Sequence, residues 1–265
     1  HIDVLQSEMP GLAADLSEVA SRMIIVAGGG EPFLTSVAEP TISGATPGLH
    51  AALALTAGAF GSAHPTSSAS HIGAAAAVEL ANLGAVLHEV VIDTALGSGH
   101  AEEAQANSTR ILVGDFLLAR AAEVAAAIAP EVARVLAVSV ARRCSGAVRE
   151  LNLTHRPMAS WSEQLEIIGL RDGELLAAAC RSGVLVTGAR PEIAEQLTTF
   201  GRVFGTAARL QIDGPQLAAS YGIDVVAADF AKLTATAHMT VDAADLGHPC
   251  VAAHALHRLV EALSA

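Results

Sequence analysis

Apolar positions in this chain recur every three to four residues over long spans, the period of an amphipathic helix, and few stretches alternate as a half-buried strand does. The longest such span covers residues 67–95, SSASHIGAAAAVELANLGAVLHEVVIDTA. It contains no proline and is dominated by alanine and leucine, the best helix formers. As one helix it would reach roughly 40 Å, the depth of a domain. Its apolar residues leave almost no polar stripe until His88, Glu89 and Asp93, so it should be central and buried on most sides. Glu89 and Asp93 stand four residues apart and share a helical face.

The remaining pattern predicts a series of further helices. The first covers 11–27 and stops at Gly28, Gly29 and Gly30. A loop follows over 31–46, and a second helix starts at Pro47 and runs to Gly61. After the central helix, LGSGHAEEAQA (96–106) reads as a solvated loop. Asn107 then caps a helix over 107–128, and Pro130 opens another over 130–151. One more spans Met158 to about Ala189. The helix over 191–212 ends at the turn pair Gly214–Pro215, and two more lie near 223–238 and 241–264. The expected architecture is all-α, a single helical domain over residues 1–265.

Composition agrees. Of 265 residues, 52% are hydrophobic and only 3% aromatic. Small side chains let helices pack closely, whereas a β-sandwich would want aromatic and β-branched strands. No run of about 18 apolar residues lacks a charge or histidine, so no transmembrane span is expected. The opening HIDVLQSEMPG is not a signal peptide, and His1 is not a natural start. The net charge of −12 argues against a nucleic-acid partner. Cys144, Cys180 and Cys250 are odd in number and show no C-x-x-C spacing, so they read as small buried residues in a reducing cytoplasm, not as a disulfide framework or zinc site.

Common catalytic signatures are missing. The glycines at 28–30 would need another at 33 to make a dinucleotide loop, and Phe33 is there. Lys232, the single lysine, has no glycine run before it, which removes a P-loop. HEVVI places Ile92 where a zinc motif would need its second histidine. His100, Glu102 and Glu103 match no known ligand spacing. Arg142, Arg143 and Arg149 on one helix read either as an exposed face or as a surface for an acidic partner.

HEVVID (88–93) is similar to the H-D-D-x-x-D segment that ends the central helix of trans-isoprenyl diphosphate synthases. The upstream VEL and the downstream ANSTRILVGDFLLARA, with its Gly114–Asp115 pair, resemble the same family. So does FGTAARLQIDG, the counterpart of the family's second aspartate cluster. The resemblance covers roughly residues 40–215 and implies an isoprenoid-synthase helical bundle. It also implies residue roles. Glu89 and Asp93 would be what is left of the first aspartate cluster, with Val90 at its middle position. Asp213 would be what is left of the second, with Ile212 at its first position and the third falling near Leu217. Arg171, Asp172 and Gly173 stand where the family has lysine-threonine-alanine, so Arg171 is the candidate diphosphate contact. Gly84 and Ala85 precede the first cluster, where the family sets tunnel length. They read either as tunnel lining or as close helix packing.

Other family elements are missing. ATPGLH (45–50) has no cation where the family carries a basic diphosphate grip, and Gly97, Ser98 and Gly99 replace paired arginines. In the family, magnesium bridges an allylic diphosphate to both aspartate clusters. Losing one well-placed charge-stabilising group costs roughly 10²–10³ in rate, and here at least four elements differ together. The resemblance therefore implies a subunit that is inactive alone, partnered with a catalytic prenyltransferase of the same fold that holds the magnesium. No metal or cofactor is expected on this chain itself. Two alternatives remain. One is a divergent magnesium-dependent prenyltransferase using Glu89, Asp93 and Asp213; the other is a carrier for an isoprenoid chain.

Overall fold

The computed structural model describes residues 1–28, 32, 36, 48–61, 68–95, 101–153, 159–245 and 250–264, without the side chains of 90–95 and 101–104. Among them every regular element is helical. Helix α1 is Ile2–Glu8, α2 Leu12–Gly28, α3 Leu49–Gly58 and α4 Ala69–Ala95. They are followed by α5 (Ala101–Ile128), α6 (Pro130–Leu153) and α7 (Trp161–Ile168), then by α8 (Glu174–Thr187), α9 (Pro191–Tyr221), α10 (Ile223–Ala244) and α11 (Val251–Glu261). The all-α bundle expected from the periodicity is what forms.

Helix α4 is the centre. Ala74 to Val78, Leu80 and Ala81 are essentially inaccessible, and α2, α3, α5 and α8 pack around them. By length and composition Ala69–Glu89 could cross a membrane, but two thirds of its most apolar window is buried against the rest of the bundle. Helix α3 is buried all round from Ala51 to Gly58. Such an element must touch its neighbours on every side, and small residues let it do so. A Cβ on Gly183 of α8 would lie 1.9 Å from the Ala54 carbonyl oxygen of α3, and one on Gly201 of α9 would lie 2.4 Å from the Leu176 carbonyl. Backbone rests on backbone along this seam.

Two polar groups are buried in the same layer, and both are satisfied. The Glu79 carboxylate of α4 accepts from the backbone N–H of Gly48 (2.9 Å) and of Ala51 (3.0 Å). It thereby caps the start of α3 from another helix, a role that the VEL segment alone does not reveal. His71, 4% exposed, donates from Nε2 to the Ala54 carbonyl at 3.0 Å.

Several boundaries differ from the pattern. Helix α5 starts at Ala101, because residues 101–106 are alanine, glutamate, glutamine and alanine, all good helix formers. Asn107 is therefore interior, and it accepts from Arg110 at 3.1 Å instead of capping. The span 158–189 is broken by a π-helical turn, Gly169–Gly173, between α7 and α8. Helix α9 does not stop at Gly214–Pro215 but continues to Tyr221. Pro215 removes one backbone bond. Leu210 and Leu217 bury on either side of it with Ile168 and Val226, and that burial outweighs the lost bond. Pro32 and Ser36 are helical where a loop was expected. The other residues of 31–46, the stretch 96–100 and Pro47 lie outside the described residues.

Candidate functional site

The C-terminal end of α4 faces α6, the π-helical turn and the second half of α9. Helices α4 and α5 meet closely just below it. A Cβ on Gly84 would lie 2.8 Å from the Gly114 carbonyl, and one on Gly114 would lie 2.5 Å from His88 Nε2. Gly84 thus sits at a close helix crossing, its open face filled by α5, while Ala85 is half-buried beside it. His88 points across the crossing to Asp115, 3.3 Å away.

Glu89, half-buried, accepts from Arg143 Nη2 of α6 at 2.8 Å. Arg171 Nη2, from the π-helical turn, lies 3.6 Å from the same oxygen. Arg171 also pairs with Glu150 of α6, and its buried Nε has no partner among the described residues. Arg171 lies within the π-helical turn, and such bulges occur often at functional sites. Asp172 follows it. Burial pushes the Asp172 carboxyl above its usual range, Arg209, Arg171 and Arg143 pull it back, and Glu89 pushes it further up. Asp213 accepts from Arg209 Nε at 2.6 Å, one turn back on α9.

The structure therefore brings Glu89 and Arg171 together and ties Asp213 into the same electrostatic neighbourhood through Arg209 and Asp172. The side chain of Asp93 lies outside the described residues. Leu217 is buried in an apolar cluster and offers no oxygen. Of Arg142, Arg143 and Arg149, read as an exposed face or a partner surface, Arg143 turns inward to Glu89, Arg142 stays largely exposed while reaching the buried Glu174, and Arg149 pairs with Glu166 at the surface. Glu150 and Arg209 are members of the site that the pattern did not single out, and Arg143 is marked by it only as one of three arginines on a helix. The four-residue spacing of Arg209 and Asp213 was a visible signal for one of them.

Magnesium takes near-octahedral oxygen donors, usually carboxylates with substrate phosphates. Here three guanidinium groups face Glu89, Glu150, Asp172 and Asp213, and each of these carboxyl groups already has an arginine beside it. A divalent cation would have to displace them. Among the described side chains, which do not include Asp93, the donor set does not fit the metal: no group of three histidine, cysteine or acidic side chains is arranged to hold one.

Known proteins share this scaffold. The nonaprenyl diphosphate synthase of Mycobacterium tuberculosis is 34% identical over 143 residues, 53% of this chain and 43% of its own length. The octaprenyl diphosphate synthase of Escherichia coli is 28% identical over 166 residues, 58% of this chain and 51% of its own. The chain thus spans about half the length of the curated relatives it matches. Among solved structures, a polyprenyl synthetase from Streptomyces coelicolor superposes with a TM-score of 0.80 at 19% identity, covering 96% of this chain and 99% of that one. A polyprenyl synthase from Caulobacter crescentus, complexed with calcium and isoprenyl diphosphate, gives 0.77 at 22%, covering 99% and 98%. These likenesses show the isoprenoid-synthase fold. The polyprenyl synthetase family profile matches residues 48–218, from the start of α3 through most of α9, and the chain belongs to that family.

Proposed function

We propose that this chain is the non-catalytic subunit of a heteromeric trans-polyprenyl diphosphate synthase in isoprenoid biosynthesis. Its partner is a subunit of the same fold that carries both aspartate clusters and the magnesium. The observation behind this reading is the Glu89 carboxylate closed by Arg143 at 2.8 Å and flanked by Arg171. A guanidinium is a fixed cation with directional donors. It neutralises the carboxylate as a metal would, yet it cannot release a diphosphate in the same way.

Two further points support the reading. Proteins similar to this one include the heptaprenyl diphosphate synthase component 2 of Geobacillus stearothermophilus, 29% identical over 143 residues, and the decaprenyl-diphosphate synthase subunit 1 of Schizosaccharomyces pombe, 29% identical over 145. Both are named as one part of an assembly. Ile111 and Leu112 of α5 and Val138, Val148 and Leu151 of α6 are large apolar residues left exposed, a surface suited to a partner. With this reading goes a cytoplasmic setting, in keeping with Cys144, Cys180 and Cys250, which are all unbridged; only Cys180 is buried as expected, Cys250 being half-buried and Cys144 exposed.

Co-expression with a synthase bearing both aspartate clusters is the test. The expected result is a stable complex and a prenyl product that requires both chains. The chain alone, given magnesium, an allylic diphosphate and labelled isopentenyl diphosphate, should form none. Product formed by the chain alone and abolished by Asp93→Ala would replace this reading with that of a divergent prenyltransferase. Isoprenoid retained through purification without any partner would replace it with that of a carrier.

A further inference from the structure

Helices α6, α8 and α9 form a surface pocket of about 160 Å³ whose lining includes neither Glu89 nor Asp213. Arg134, Arg142, Arg181 and Arg202 line it, with Glu174 at its floor and Thr198 at its side. Glu174 is 4% exposed and accepts from Arg202 Nε at 2.8 Å, with Arg142 Nη1 at 3.4 Å from both of its oxygens. Arg134 is held by Glu131 at 2.6 and 2.9 Å. Arg181 makes no hydrogen bond to any described residue and meets Glu131 only through its field.

The charge count favours an anion. Four arginines face two carboxylates, Glu174 and Glu131, leaving two positive charges in excess. That excess gathers in one concavity of a chain whose net charge is −12. The buried carboxylate uses Nε of Arg202 and one terminal nitrogen of Arg142, so other N–H groups of both guanidiniums remain. Each guanidinium has five donors in a planar fork that matches phosphate oxygens. Glu174 thus acts as an anchor that fixes two forks in place before any ligand arrives, and fixed donors lose less entropy on binding.

We infer that this pocket binds a phosphate-type oxyanion, inorganic diphosphate or the head group of a prenyl diphosphate, without a divalent cation. The shared chemistry is the diphosphate group; the apolar part of the lining is the short side chains of Val135, Val138, Ala177 and Ala178.

Calorimetric titration of the purified chain with inorganic diphosphate, at low salt and with chelator present, tests this. One site is expected, weakened at least tenfold by Arg181→Ala, partly restored by Arg181→Lys, and unchanged by Arg22→Ala on the exposed face of α2. Arg181 carries no hydrogen bond to a described residue, so its removal leaves the fold intact, and a melting curve verifies that. Geranyl diphosphate should bind as inorganic diphosphate does if the head group alone is recognised. Binding that needs the prenyl tail, or that is lost in Arg171→Ala and kept in Arg181→Ala, would move the anion to the Glu89 site and overturn the inference. No binding at millimolar diphosphate would overturn it too. The titration needs no partner synthase, so its outcome is separate from that of the co-expression experiment.

Discussion

Arg143 on α6 reaches 54 residues back along the chain to hold Glu89 at 2.8 Å, with the guanidinium side chain 12% exposed and the carboxylate 30%. A pair so far from full solvent is costly to break from one side, because the remaining charge is left without its partner. Arg143→Ala is expected to destabilise the chain by about 1–3 kcal/mol, read as a lower urea midpoint. Adding Glu89→Gln should recover part of that loss. Strict additivity of the two changes would show that the pair contributes nothing.

Two imidazoles set the acid limb of stability. Burial, with Arg143 nearby, lowers His50 to about 3, and burial lowers His71 against its bond to Ala54 and the field of Asp15. Both are neutral when folded and take up a proton on unfolding near pH 6.5. The unfolded chain therefore binds more protons below that pH, and stability falls as pH drops from about 6.5 toward the folded values. Each histidine contributes up to about 1.4 kcal/mol per pH unit. Burial raises Glu79, which acts in the opposite sense just above pH 4.5. Urea unfolding between pH 4.5 and 7.5 should show the slope, and His50→Gln should flatten it.

Glycines of equal sequence appearance should behave differently. A Cβ on Gly183 meets the Ala54 carbonyl, whereas one on Gly214 meets no other part of the fold within 4 Å. Gly183→Ala is expected to cost several kcal/mol, at or beyond the upper end of the roughly 1–3 kcal/mol typical of overpacking, since the obstacle is backbone. Gly214→Ala should stay close to neutral, because the roughly 0.5–1 kcal/mol that alanine gains over glycine inside a helix is offset by the clash of its Cβ with the ring of Pro215, the next residue. Thermal melts of the two variants check the difference.

Trp161 is the single tryptophan, and its Nε1 donates to Asp229 of α10 at 2.6 Å. Tyr221 lies against it, ring centres 5.2 Å apart. Asp229→Ala should change the indole emission and loosen α7 from α10, at a cost of about 1–2 kcal/mol. An unchanged emission spectrum would show that the indole does not depend on this contact.

Much of the molecule can be read from the chain because its elements are long and their period is unambiguous. Helix α4 differs by two residues at its start from the span marked by the apolar pattern. What cannot be read is whatever depends on a distant partner. Glu89 is visible as an acidic residue at the end of a helix, but nothing local shows that Arg143 and Arg171 will close over it. Gly214–Pro215 has the form of a stop, and it fails as one because Leu210 and Leu217 find an apolar cluster that exists only once α7 and α10 have docked. Asn107 has the chemistry of a cap, and six strong helix formers before it override that chemistry.

The backbone contact at Gly183 and Gly201 has a mechanical consequence. Helices α3, α8 and α9 have no side-chain cushion between them there, so they must translate as one keel. The π-helical turn at Gly169–Gly173 belongs to the same keel, because a Cβ on Gly173 would lie 2.6 Å from the Arg202 carbonyl oxygen and one on Gly205 2.4 Å from that of Asp172, so any change of shape has to be absorbed outside it.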